Sequence, residues 1–316
     1  MMPLDLILIR HGESEGNAAG ALARQGDESH YTDDFVTTPG REWQLTAIGQ
    51  KQAQIIGQHL REAEFPAAYP QLRKEEATRF YCSPYVRARQ TAGHLGLENS
   101  EGASVRWYLN RAIRERDWGD IETRPRREFE ESPMFELNAR KKVIDPLYWR
   151  PPGGESICDV AENRVRNFLD TLHRECSDQT VLAVTHGEFI RATRLVLERV
   201  DDETYTSWET NPEMRIRNCE IFHYTRVAPE LLFSDRPHAE SWGGGLNPGD
   251  IAPRIGFLQR SYPHLEDDGI TWTVSSLPWR QINYDKPTNE DLKNTLPADE
   301  VLEHQGRDRF DPRRGC

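Results

Sequence analysis

The clearest hydrophobic pattern in the chain is a short run near its start. Leu4 to Ile9 has the length and branched apolar content of a buried strand, and it stops at Arg10-His11-Gly12. Two later runs end in a similar way. Phe80-Tyr81-Cys82 stops at Ser83-Pro84, and Thr180 to Val184 stops at Thr185-His186-Gly187. Between them the period becomes helical. Thr46 caps a helix whose stripe reads Ile48, Ala53, Ile56 and Leu60, and a second helix carries Arg87, Thr91 and Leu95. A third places Val160, Val165, Phe168, Leu169 and Leu172 on one side, and Glu188 to Arg199 presents Phe189, Ile190, Ala192, Leu195 and Leu197. Arg215 to Tyr224 reads as a last strand near an edge. Strands alternating with helices predict a layered α/β domain.

The remaining segments read as loops. Residues 18 to 44 form a long polar loop containing Pro39-Gly40, of the kind that lines a pocket rim. Residues 62 to 77 read as a charged connection. Residues 120 to 152 are charged and irregular, with Pro125, Pro133, Pro146 and Pro151-Pro152, and read as an insertion over the sheet edge. From about Val227 prolines become frequent, Gly243-Gly244-Gly245 interrupts, and Trp242, Trp272 and Trp279 appear. Ile270 to Val274 is strand-like, and helical pieces are expected after Thr288 and around Asp299 to His304. The expectation for this segment is a tail that packs its aromatics back onto the main domain.

Composition narrows the partners. The 316 residues can bury a sizeable core, and no run of 18 apolar residues suggests a membrane span. A net charge of −12 disfavours nonspecific binding to nucleic acid or acidic membranes, while a local arginine cluster can still bind an anion. Cys82, Cys158, Cys176, Cys219 and Cys316 are widely spaced and form no Cys-x-x-Cys pair, so neither a disulfide framework nor a zinc site is expected. No secretory leader precedes the first strand, so a reduced, cytoplasmic setting is the default expectation.

The strand ends carry the chemistry. Open α/β folds bind ligands at the carboxyl edge of the sheet, where Arg10-His11 and His186 are expected to sit. Arg10-His11-Gly12, Ser83 to Ala92 with Arg87-Ala88, the segment bearing Glu115, and His186-Gly187 together resemble the histidine phosphatase superfamily, the phosphoglycerate mutase-like proteins. Gly153-Gly154-Glu155-Ser156 and Asn218-Cys219-Glu220-Ile221 support the resemblance, which covers about residues 4 to 225. It implies a three-layer α/β/α sandwich with a mostly parallel central sheet and an irregular C-terminal extension. The expected division is a histidine phosphatase domain over 1–226, with 120–152 inserted at the active-site edge, and an extension over 227–316.

The resemblance implies that His11 is phosphorylated, that Arg10, Arg87 and His186 hold the phosphoryl oxygens, and that Glu115 is the general acid and base. Asp117 is the fallback acid. Arg89 lies two residues beyond Arg87 on another helix face and reads as structural or surface. Asn17 closes the first motif, either as a phosphate ligand or as a helix cap. A neutral imidazole suits attack on a phosphomonoester dianion, two arginines disfavour its protonation, and His186 is expected to be protonated. Activity is expected to fall in acid as His11 protonates. No cofactor or metal is called for, because the residues themselves supply the positive charge.

The surroundings bear on the reaction. Arg124, Arg126, Arg127, Arg140, Lys141 and Lys142 offer a second phosphate site of the mutase kind, but they mix with Glu128, Glu130 and Glu131. Arg116-Asp117-Trp118-Gly119 lacks the Tyr-Gly-Gly-Leu-type string of the mutases. The expectation is a phosphatase acting on a phosphorylated small molecule or a phosphoprotein. The alternatives are a mutase, or an idle binding protein whose working part is the extension.

Overall fold

The computed structural model describes residues 1–61, 78–99, 101–124, 128, 133–229 and 251–283. Among them lie strands β1 (Asp5–Arg10), β2 (Thr78–Cys82), β3 (Tyr108–Leu109), β4 (Thr180–Thr185), β5 (Ile221–Thr225), β6 (Phe257–Leu265), β7 (Trp272–Ser276) and β8 (Arg280–Gln281). The helices that concern the site are α1 (Glu15–Ala23), α2 (Asp33–Thr37), α3 (Ala47–Arg61), α4 (Val86–His94), α5 (Pro133–Ile144), α6 (Ile157–Asp159), α7 (Arg166–Glu175) and α8 (Gly187–Leu197). A π-helical turn over Val160–Val165 joins α6 to α7.

The strands form one sheet in the order β3-β2-β4-β1-β5-β6-β7, with β8 also paired to β6. The half that carries the predicted chemistry, β3-β2-β4-β1, is parallel, and β5 to β8 add to it antiparallel. Leu6 to Ile9 are fully buried because helices cover both faces. Ile7, Ile9, Phe80, Leu182 and Val184 pack with Ala53, Ile56 and Leu60 of α3 and Ala88 and Ala92 of α4. On the opposite face the Tyr81 ring meets Phe168 of α7 edge-on at 5.4 Å, and Phe168 meets Phe189 of α8 at 6.0 Å. Asp5, buried at the start of β1, accepts from His223 Nε2 at 2.9 Å, which satisfies a carboxylate that burial would otherwise penalise.

Four expectations change. Residues 18–44 are not one continuous loop, because α1 runs on to Ala23 from its Ser14 cap and α2 covers Asp33–Thr37 behind the Thr32 cap. Ile48 is half exposed, because at about 100° per residue it lies off the buried stripe of Gly49, Ala53, Ile56 and Leu60. The strand expected over Arg215 to Tyr224 begins only at Ile221 and lies inside the sheet, since β6 pairs along its outer side. Part of the 120–152 insertion is a regular helix, α5.

The segment after Val227 supplies β6, β7 and β8 to the common sheet, and the Trp279 ring packs edge-on against His223 at 4.9 Å. The helices expected after Thr288 and around Asp299 lie outside the described residues, as do Trp242, Arg126 and Arg127. No helix among the described residues is long and apolar enough to cross a membrane.

Candidate active site

Sheet register assembles the site. Arg10 of β1 stands opposite Thr185 of β4, and Cys82 of β2 opposite Val184. The chain leaves all three strands at one level, where His11 N–H donates to the Thr185 carbonyl and Ser83 N–H to the Val184 carbonyl, each at 2.9 Å. His11, Ser83 and His186 therefore converge at the carboxyl edge of the parallel half. The His11 and His186 ring centroids are 5.0 Å apart, and both residues are at most 1% exposed.

Close packing holds His11 still. Gly12 lies so near α3 that a β-carbon there would come within 2.4 Å of the Gly49 carbonyl oxygen, so the glycine permits helix contact directly behind His11. Gly12 N–H donates to Thr91 Oγ1 at 3.0 Å, and that hydroxyl donates to the Arg87 carbonyl. The His11 carbonyl accepts from Asn218 Nδ2 at 3.1 Å and from the Cys219 N–H at 3.3 Å. His11 Nδ1 lies 2.7 Å from the Gly12 carbonyl and Nε2 lies 3.1 Å from Arg87 Nε. A carbonyl can only accept and a guanidinium can only donate, so the proton sits on Nδ1 and the lone pair on Nε2. Burial, reinforced by Arg87 and Arg10, pushes the His11 pKa well below the ordinary imidazole value.

The two arginines are anchored differently. Arg87 Nη1 donates to the Gly40 carbonyl at 2.6 Å, which ties α4 to the loop before α3. Arg10 Nη1 donates to the Ile216 carbonyl at 2.7 Å, while its buried Nε has no partner among the described residues. Arg89 is exposed, away from this cluster, as its helix phase predicts.

His186 Nε2 pairs with Ser83 Oγ at 2.8 Å, and its buried Nδ1 has no hydrogen-bond partner among the described residues, with Glu115 Oε2 at 3.9 Å. The expectation that His186 is protonated fails here. Burial, then Arg87, His11 and Arg10, hold its pKa well below the ordinary range, so the imidazole is neutral before an anion arrives.

Glu115 is buried, and burial, with Glu188 adding, raises its pKa. Its Oε1 accepts the Arg116 N–H at 2.8 Å, leaving Oε2 on the His186 side. Asp117 is exposed and caps the Gly119 N–H at 2.8 Å, so it does not share the cavity. Asn17 closes a capping box with Ser14, and its Oδ1 also accepts from Asn218 Nδ2 at 2.9 Å. The capping reading thus holds, while the residue still lines the cavity.

Some supporting residues carry no strong sequence signal. Ser83, Thr91 and Gly40 act through contacts that depend on the register of separate elements. Glu155, within a motif that reads as a turn and cap, does more. Its carboxylate takes Arg164 Nη2 at 2.7 Å and the Asp117 N–H at 2.9 Å, and its carbonyl takes Arg116 Nε at 2.6 Å. Glu155 therefore fixes the Glu115 loop from both sides.

Sequence spacing suggests no metal cluster, yet folding brings ligand atoms of His11, Glu115 and His186 within 4.8 Å of one another. A cation there would face two buried guanidiniums, and the His11 Nε2 lone pair is already engaged by Arg87. The electrostatics suit an anion.

His11, Arg87, Glu115 and Asn17 lie in a cavity of about 1140 Å³. Its walls come from the 18–44 segment and the 120–152 insertion, as expected, and also from Thr206, Glu209 and Thr210, which the sequence did not mark. The family model of the histidine phosphatase superfamily (branch 1) matches residues 6–228. The chain is 34% identical over 309 residues to the phosphoglycerate mutase-like protein AT74 of Arabidopsis thaliana, covering 93% of this chain and 80% of that one. It is 29% identical over 216 residues to a 2,3-bisphosphoglycerate-dependent phosphoglycerate mutase of Methylorubrum populi, covering 65% of this chain and 84% of the relative. A solved structure of a phosphoserine phosphatase mutant from Entamoeba histolytica, in complex with phosphoserine, superposes with a TM-score of 0.50 at 21% identity, over 70% of this chain and 90% of that one.

Proposed function

Since the chain belongs to the histidine phosphatase superfamily, we propose that it hydrolyses a phosphomonoester through a phosphohistidine on His11, with Glu115 as general acid and then general base. The observation that carries this reading is the His11 lone pair at Nε2, fixed by the Gly12 carbonyl and lying against the Arg87 guanidinium.

In the first step the entering phosphoryl group displaces the Arg87 contact from Nε2, and the guanidinium moves onto nonbridging oxygens beside Arg10 Nε. Nε2 bonds to phosphorus as the phosphorus–oxygen bond breaks, and Glu115 delivers its proton to the departing oxygen. In the second step ionised Glu115 takes a proton from water. The water oxygen bonds to phosphorus, the phosphorus–nitrogen bond breaks, and Nε2 regains its lone pair. The Ser83 hydroxyl donates to His186 Nε2, which leaves the proton on Nδ1 to meet a phosphoryl oxygen. Fixed donors around the equatorial oxygens are the main resource for this chemistry. Asn17, with its carbonyl oxygen engaged, offers only its amide hydrogens to the substrate. The positive charge comes from side chains, so no step is routed through a metal.

The phosphate-release reading competes with a mutase reading, favoured by Arg124 and Lys142 on the cavity wall, where a second anion could dock. Side-by-side assays of inorganic phosphate release and 3- to 2-phosphoglycerate conversion separate the two. Release is expected to dominate, and isomerisation faster than release assigns the mutase reaction instead.

The pH profile follows from the two shifts. The lowered His11 pKa keeps the nucleophile unprotonated well below the usual imidazole range, so the acid limb moves downward. The raised Glu115 pKa keeps the acid protonated above the usual carboxyl range, and kcat/KM falls as pH rises through it. A bell is expected for kcat/KM, with its acid limb below pH 6.5, the ordinary histidine value, and its alkaline limb above the ordinary carboxyl range. A profile still rising at pH 8 contradicts the roles given to these two groups.

A further inference from the structure

Resting on the phosphatase reading, we infer that the preferred substrate is a phosphomonoester of a large aromatic alcohol, rather than a three-carbon phosphoester. The cavity of about 1140 Å³ exceeds the roughly 300–1,000 Å³ of sites that enclose drug-sized ligands. The phosphoryl group occupies only the floor, and a glycerate-sized leaving group would leave most of the remaining volume to water.

Aromatic rings line two sides of that volume. On one side Phe35 stacks on Trp43 with centroids 4.9 Å apart and planes 7° from parallel, and Tyr31 meets Phe35 edge-on at 5.2 Å. Trp43 is wedged against the backbone, since a β-carbon on Gly16 would come within 2.3 Å of its ring. On the other side the Arg116 guanidinium carbon lies 4.7 Å from the Trp118 ring centre and 5.2 Å from that of Trp149. Arg116 is itself held by the Glu155 and Trp149 carbonyls. All five rings border the cavity. Rings fixed in this way lose little conformational freedom on binding, and a ligand ring gains stacking beyond its buried area.

Glu122 adds a polar element. Its carboxylate lines the same cavity, and burial raises its pKa. The mechanism does not use it, and a carboxyl that holds its proton more tightly can donate to an uncharged polar group on the leaving group. An aromatic alcohol meets both ring-bearing walls, whereas glycerate brings no ring.

The test measures binding in full-length protein that does not turn over. Titration calorimetry on His11→Ala, or on His11→Gln if the alanine variant does not fold, compares 1-naphthyl phosphate, glycerol 2-phosphate and 3-phosphoglycerate. The naphthyl ester is expected to bind at least about tenfold tighter than either small ester. Phe35→Leu in the same background, which keeps apolar bulk but removes the ring, is expected to narrow that ratio about fivefold. Equal affinities, tightest binding of 3-phosphoglycerate, or a naphthyl preference untouched by Phe35→Leu overturn the inference. A naphthyl preference in a protein whose wild type releases no phosphate from any of the three sinks the phosphatase reading and leaves the ligand class standing.

Discussion

Replacing His11 by alanine is expected to lower kcat/KM for p-nitrophenyl phosphate by on the order of 10⁴-fold or more, the scale seen when the nucleophile of a covalent mechanism is removed. No neighbouring group can take over. His186 Nε2 is engaged by Ser83, and Glu115 is a carboxylate that a phosphoryl dianion repels once it ionises. The wild type, mixed with excess substrate and quenched in alkali, is expected to carry phosphate bound to nitrogen, stable in base and labile in acid. The variant is expected to carry none. The substitution leaves the packing largely in place, because Arg87 keeps its bond to the Gly40 carbonyl and the Gly12 N–H keeps Thr91. Circular dichroism and the thermal midpoint therefore separate loss of chemistry from loss of fold. Activity within tenfold of the wild type removes His11 from the mechanism.

His11 was legible as the proposed nucleophile because local chemistry and topology coincide at it. An apolar run short enough to be a strand, ending in Arg-His-Gly, places an imidazole at a sheet edge before any partner is known. The same logic placed His186 and Arg87. What a sequence cannot state is the register that aligns Arg10 with Thr185 and Cys82 with Val184, and so brings Ser83 within hydrogen-bonding distance of His186. His186 illustrates the limit. Its residue type suits a protonated donor, but its charge state depends on burial and on two arginines contributed by other segments. The interior position of β5 was hidden for a related reason. Its outer neighbour, β6, is drawn from a proline-rich stretch more than thirty residues downstream, where no local period announces a long-range pairing. Segment 18–44 was readable as a wall of the pocket, whereas helix α2 within it and the stacking of Phe35 on Trp43 were not, because a five-residue helix has too short a period to announce itself and the ring pair is set by tertiary contact.

Glu115→Gln separates the two proton transfers assigned to one carboxyl. Glutamine is nearly isosteric, and its carbonyl oxygen can still accept the Arg116 N–H, so the loop held by Glu155 keeps its shape. It can neither give nor take a proton. For glycerol 2-phosphate, whose alkoxide is strongly basic, loss of the general acid is expected to lower kcat/KM by on the order of 10³-fold, within the range for such catalysis. For p-nitrophenyl phosphate the departing phenolate needs little protonation, and the loss in the first step is expected to be about tenfold or less. The second step still lacks its base, so phosphohistidine should accumulate. Rapid mixing is then expected to show a burst of one p-nitrophenolate per active site followed by a slow steady rate. The alkaline limb of kcat/KM set by the raised Glu115 pKa should vanish in the same variant. Equal losses for both leaving groups, with no burst, would mean that this carboxyl shapes the site electrostatically and that the proton comes from elsewhere.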